Sequence, residues 1–260
     1  MLALVPLGSI LVVMSGDPTC GEVCFHRFAD RRFVLGIPNF ADVVSNLPFL
    51  LVGLAGFLFW RRRPPEKAPI SWLAFVIGVG LVSVGSAFYH LDPDNASLVW
   101  DRLPMTIAFM ALSVAMLSEV IDPRFDRWLL APALVLGASS VYFWNYGQDV
   151  RPYYSVQVVP LVIIPTLLVL YPKKCRHPAL LLTALGFYIA AKLFESFDGA
   201  VYDATQGFVS GHTMKHFSAA IACGSLVLML GRRSGVRSAH GTRSAAQRGQ
   251  AAASPAAICP

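Results

Sequence analysis

Seven long apolar runs, separated by short polar loops, constrain this chain more than any other feature. They fall at about 43–60, 70–90, 103–121, 127–144, 155–171, 178–197 and 212–231. A helix needs roughly 20 mainly apolar residues to cross the hydrocarbon of a bilayer. The expected fold is therefore all-α, an integral membrane bundle of seven transmembrane helices. Charge content agrees, because 14% of the 260 residues are charged, against about 25% in a soluble domain.

This reading divides the chain into an N-terminal extramembrane segment (1–42), a transmembrane domain (43–231) and a tail (232–260). Residues 1–14 are apolar but short for a span and lack the positive start of a signal peptide. They are expected to form an interfacial or buried segment, with a cleaved signal as the alternative. The tail is rich in Ala, Ser, Gly and Arg and is expected to be disordered and cytoplasmic.

Loop charges set the orientation. Arg61, Arg62, Arg63 and Lys67 follow the first run, Arg124 and Arg127 the third, and Lys173, Lys174 and Arg176 the fifth. The tail adds Arg232, Arg233, Arg237, Arg243 and Arg248. Basic loops stay in the cytoplasm, so the N-terminus is expected outside and the C-terminus inside. Arg27, Arg31 and Arg32 run against the rule, accompanied by Asp17, Glu22, Asp30 and Asp42. The net charge of +6 resides in these loops and the tail. It forms no stripe interleaved with aromatics, which argues against a nucleic-acid partner. Compact loops and a short polar tail point to a bacterial inner membrane. Cys20 and Cys24 can pair only if they face an oxidising space, and the sequence specifies no oligomeric state.

Ionisable residues inside apolar spans are costly and therefore mark function by default. One cluster, Gly85-Ser86-Ala87-Phe88-Tyr89-His90, ends the second run. A second, Trp100-Asp101-Arg102-Leu103-Pro104, opens the third. A third, His212-Thr213-Met214-Lys215-His216, opens the seventh. Ser86 and His90 are four apart and share a helix face, as do His212 and His216. The expected topology brings all three clusters to one depth near the outer face. Three imidazoles with one open position for water form the ligand set of a catalytic zinc, which makes hydroxide available near neutral pH. Asp101 then suits proton transfer, and Ser86 suits a hydrogen bond to a developing oxyanion. Each residue also has a plain structural reading. Asp101 can cap the third helix with Pro104 in its first turn, His90 can complement a helix C-terminus, and Ser86 can be a small packing residue. Lys192, Glu195 and Asp198, spaced by three, form either an internal ion-pair set or contacts to a polar substrate headgroup.

At these residues the sequence resembles the alkaline ceramidase family. That family belongs to a superfamily of seven-helix membrane hydrolases with the adiponectin-receptor-like and Per1-type proteins. The matching pieces are Ser45-Asn46, Gly85-Ser86-x-x-x-His90, Asp101-x-Leu103-Pro104-Met105 and His212-x-x-x-His216, within residues 17 to 231. The resemblance implies Zn2+ on His90, His212 and His216, Ser86 and Asp101 as catalytic residues, and a ceramide-like membrane lipid cleaved at its amide. Eukaryotic members bind Ca2+ at an acidic N-terminal stretch. Here Asp17, Cys20 and Glu22 correspond, Pro18 stands where the family has tryptophan, and Asn39 replaces a glutamate. The resemblance thus implies at most a weak calcium site at Asp17, Glu22 and Asn39. The competing readings are a hydrolase of related lipid esters or amides, a receptor, or a metal transporter. A transporter needs polar groups through the full membrane depth, whereas these cluster near one face, except for the Lys192, Glu195 and Asp198 set.

Overall fold

The fold is described from a computed structural model, which covers residues 4–16, 25–64 and 68–251, with side chains at 8–16, 25–64 and 68–232. Among them every regular element is a helix: α1 Leu4–Met14, α2 Phe40–Val44, α3 Leu47–Arg61, α4 Ile70–Leu91, α5 Asn95–Val120, α6 Phe125–Trp128, α7 Leu130–Gly147, α8 Arg151–Leu170, α9 Pro178–Ser196, α10 Asp198–Ala204 and α11 Gly211–Ala251.

Among the described residues six segments are long and apolar enough to cross a membrane: Phe40–Arg61, Ile70–Leu91, Asn95–Val120, Arg151–Leu170, Pro178–Ser196 and Gly211–Arg232. They are compatible with an integral membrane protein. The fourth expected span does form a helix, α7, but is not one of the six. Ser139, Ser140 and Asn145 dilute its apolar content over only 18 residues. The outward faces support the membrane reading. On α4, Ile77, Leu81, Val84 and Phe88 are exposed and recur at helical spacing, so an apolar stripe faces away from the bundle. Leu51, Leu54, Phe57 and Leu58 do the same on α3.

The helices close a ring. In order, α3, α4, α5, α8, α9 and α11 each pack on the next, and α11 returns to α3; α7 lies against α5 and α8, and α1 against α8. Small residues set the spacing. A Cβ at Gly53 would lie 2.7 Å from the Gly80 Cα, so α3 and α4 meet backbone to backbone, as membrane helices do at small side chains. The largest buried side chains, including Trp72, Phe75, Met116, Leu167, Leu181, Met229 and Leu230, gather where α4 and α9 begin and α5, α8 and the apolar part of α11 end. The polar clusters occupy the opposite end, about 27 Å away along α4 at 1.5 Å per residue.

Two element boundaries differ from expectation. The third span was expected from 103, with Asp101 available as its cap. Instead α5 starts at Asn95, where Asp94 accepts from the Ser97 N–H and Ser97 returns a bond to the Asp94 N–H, a capping box. Asp101 therefore lies in the second turn, and Pro104 is inside the helix. At the other end, α11 runs to Ala251, into the stretch expected as a disordered tail; 252–260 lie outside the described residues. The apolar start forms α1, of 11 residues, whose end is tied to α8 by an Arg151 bond to the Met14 carbonyl at 3.0 Å.

Candidate metal centre and its polar surroundings

His90 is the penultimate residue of α4, and His212 and His216 lie in the first two turns of α11. All three are buried, at 1%, 8% and 4% exposure. Their ring centroids are 4.8, 5.1 and 4.8 Å apart, and one ring nitrogen of each lies within 4.8 Å of the others. This group could hold a metal ion.

The closest pair tests the fit. Nε2 of His90 and Nε2 of His212 are 3.3 Å apart. Two nitrogens at zinc–imidazole bond length on one tetrahedral ion stand about 3.3 Å apart. An imidazole–imidazole hydrogen bond accounts for that one distance. It does not account for a third buried imidazole with a ring nitrogen within 4.8 Å of both. Three buried imidazoles so placed suit a bound metal ion.

Each histidine is steered by a neighbour. Asn39 has a left-handed backbone, φ 46, and its side-chain N–H donates to the His90 carbonyl at 2.8 Å, fixing the end of α4. The Asp198 carboxylate accepts from the His212 N–H at 2.7 Å and from the Ala29 N–H at 2.9 Å. It thus binds the start of α11 and the N-terminal segment at once. Ser45 Oγ lies 2.7 Å from His216 Nδ1.

Ser86, one turn before His90, lies beside the Asp101 carboxylate. The backbone brings them together. Pro104 has no N–H for the carbonyl four residues back, that of Trp100. A Cβ at Gly85 would lie 2.0 Å from that same oxygen. Gly85 therefore lets α4 settle onto the bared carbonyl, with Ser86 and Asp101 on either side of the contact.

The N-terminal segment roofs the site. The Phe28 ring meets His90 and His212 edge-on, each at 4.7 Å between centroids. The segment is anchored on both sides of Phe28. His26 lies 2.9 Å from the Tyr89 hydroxyl and 3.0 Å from Asn95 Oδ1, and Tyr89 donates to the Phe25 carbonyl at 2.6 Å. Asp30 pairs with Arg32, which also donates to the Phe208 carbonyl at 3.0 Å. Burial pushes the Asp30 carboxyl up, but the hydrogen bonds and charge of Arg32 outweigh it and hold the group below the ordinary carboxylate range.

Beside Asp101, the Arg102 guanidinium is 4% exposed and sits over Trp144, Phe25 and Tyr153 at 3.9, 4.3 and 4.7 Å. This aromatic box joins α5 to α7, α8 and the N-terminal segment. Trp144→Leu keeps an apolar side chain but removes the best of the three faces. It is expected to cost about 2 kcal/mol, the value of a desolvated cation–π contact, read as a lower thermal midpoint in detergent.

Of the other sequence candidates, Lys192 and Lys215 both bind Glu195, Lys215 at 3.0 Å, and Asp198 serves the two backbone N–H groups above. Asp17 and Glu22 lie outside the described residues, as do Cys20 and Cys24; Asn39 is engaged with His90. Sequence reasoning assigned no role to Phe28, His26, Arg102, Asp42 or Ser45. Asp42 carried a usable signal, being the only ionisable residue in Phe40-Ala41-Asp42-Val43-Val44 at the mouth of an apolar run. Comparison with protein-family models returns no match for this chain, and comparison with curated proteins returns none either.

Proposed function

We propose that this chain is a zinc-dependent intramembrane hydrolase of the alkaline ceramidase family that cleaves the amide bond of a ceramide-like lipid to a sphingoid base and a fatty acid. The observation that carries this reading is the buried triad of His90, His212 and His216 with the Ser86–Asp101 pair at the same end of the bundle. In this reading α7 is a seventh crossing, the N-terminus is outside, the C-terminus is cytoplasmic and the membrane is a bacterial inner membrane.

His90, His212 and His216 would hold the zinc, which when bound supplies Lewis acidity to polarise a carbonyl and acidify water. Amide hydrolysis adds the hydroxyl of water to the carbonyl carbon and its proton to the departing nitrogen. Asp101 takes that proton on its carboxylate and delivers it to the amine. Once Asp101 carries the proton it can donate to Ser86 Oγ, which frees the single Ser86 proton for the oxygen that gains charge. Phe28 shields the triad from bulk water on its own side, which favours a substrate reaching the site from the bilayer.

The test is zinc content and product analysis on purified protein. The expected result is one zinc per chain, release of fatty acid from ceramide, and a fall of roughly 100- to 10,000-fold in kcat for Asp101→Asn, the range of a lost general acid–base. Wild-type protein that binds no metal, or Asp101→Asn at wild-type rate, would overturn the proposal.

A further inference from the structure

The one turn of α2 faces the first turns of α11 across a polar seam. Asp42 is 0% exposed, Ser45 2%, Ser210 0% and Thr213 4%. Two short rungs cross the seam, beside a longer one from Ser210 Oγ to Asp42 Oδ1 at 3.5 Å. Thr213 Oγ1 donates to Asp42 Oδ1 at 2.7 Å, and one turn along both helices Ser45 Oγ meets His216 Nδ1 at 2.7 Å. Residues three apart lie on one helix face, so the 42/45 pair matches the 213/216 pair in register. Ser210 adds a 3.0 Å bond to Thr213 Oγ1 and receives the Thr213 N–H at 3.0 Å.

Proton counting at Ser45 ties its hydroxyl to the tautomer of His216. A serine hydroxyl has one proton and two acceptor lone pairs. With the Ser45 proton on the Asp42 carbonyl, 3.1 Å away and also held by the Asn46 amide at 2.8 Å, the role of His216 follows. Ser45 Oγ can then only accept from His216, which puts the proton on Nδ1 and leaves Nε2 with its lone pair free. Among the described residues no such group serves His90, whose Nδ1 is buried without a partner there.

We propose that Ser45, held by Asp42, is a positioning residue that fixes the ring orientation and tautomer of His216 so that its Nε2 faces the triad. Asp42 does so twice, through its carbonyl to Ser45 and through its carboxylate to Thr213, and locks α2 to the helix that carries two of the three ligands. The proposal rests on the metal-centre reading for its purpose but not for its geometry. Groups that orient a metal-bound imidazole typically govern affinity 10- to 100-fold.

The experiment uses the full chain in nanodiscs, as wild type, Ser45→Ala and Ser45→Thr. Zinc affinity is measured by competition with a chelator, and the His216 tautomer by 15N NMR of the metal-free protein. Ser45→Ala is expected to weaken zinc binding roughly 10- to 100-fold and to release the tautomer, while Ser45→Thr, which keeps a hydroxyl, retains both. Equal zinc affinity in wild type and Ser45→Ala would overturn the proposal, as would a His216 ring unprotonated at Nδ1 in wild type. Wild type that binds no zinc defeats the metal reading instead, and the tautomer of the metal-free protein then decides the positioning claim by itself.

Discussion

His216→Ala is expected to remove stoichiometric zinc from the purified protein. The substitution deletes one of three buried donors and leaves His90 and His212 only 3.3 Å apart. Zinc in protein sites is bound with about 10–16 kcal/mol spread over four positions, so one lost donor costs about 3 kcal/mol, or on the order of 100-fold in affinity. With chelator present during purification, metal content should fall from one per chain to near zero. The same substitution strands Ser45, whose partner ring is gone. Metal retained at one per chain would show that the triad is not the binding site.

Gly85→Ala has an effect of another kind. Its Cβ would lie 2.0 Å from the Trp100 oxygen and 3.3 Å from Pro104 Cγ. A backbone oxygen at the point where Pro104 interrupts the hydrogen-bond ladder cannot rotate away as a flexible side chain can. The two helices must separate, and the cost falls at or above the upper end of the roughly 1–3 kcal/mol typical of overpacking. Separation also pulls Ser86 from Asp101. The expected outcome is a lower thermal midpoint together with loss of hydrolysis while zinc content persists, because no histidine comes from α5. A wild-type midpoint would mean that the close approach at Gly85 does not exist in the folded protein.

Much of this arrangement was legible before any coordinates. Four-residue spacing announced His212 with His216 and Ser86 with His90. Alternating loop charge implied that the end of one span and the starts of two others share a level, and the triad is where that argument led. What was not legible is informative. Pro104 drew the expected start of α5 toward 103, although the signal for the true start, Asp94 to Ser97, stood just upstream in polar sequence. The polar residues of α7 kept it out of the six segments that meet the length and composition test. Phe28, Ser45 and Asp42 matter through contacts with residues far along the chain, and a periodicity read within one segment carries no trace of such pairings.

The place of α11 between α3 and α9 has a consequence for biosynthesis. His90 is made 122 residues before His212, and Asp42, Ser45, Glu195 and Asp198 all precede the helix they bind. Until α11 arrives, these groups border an open slot in the ring, and polar groups without partners in hydrocarbon are costly. Two of the three candidate metal donors and the partners of that slot are delivered by the same few residues, 210–216. Synthesis halted short of them leaves a bundle with neither a triad nor a satisfied seam. Capacity to hold metal therefore reports that the final span has been inserted in register, and a nascent chain acquires its chemistry and its structural completion in one event.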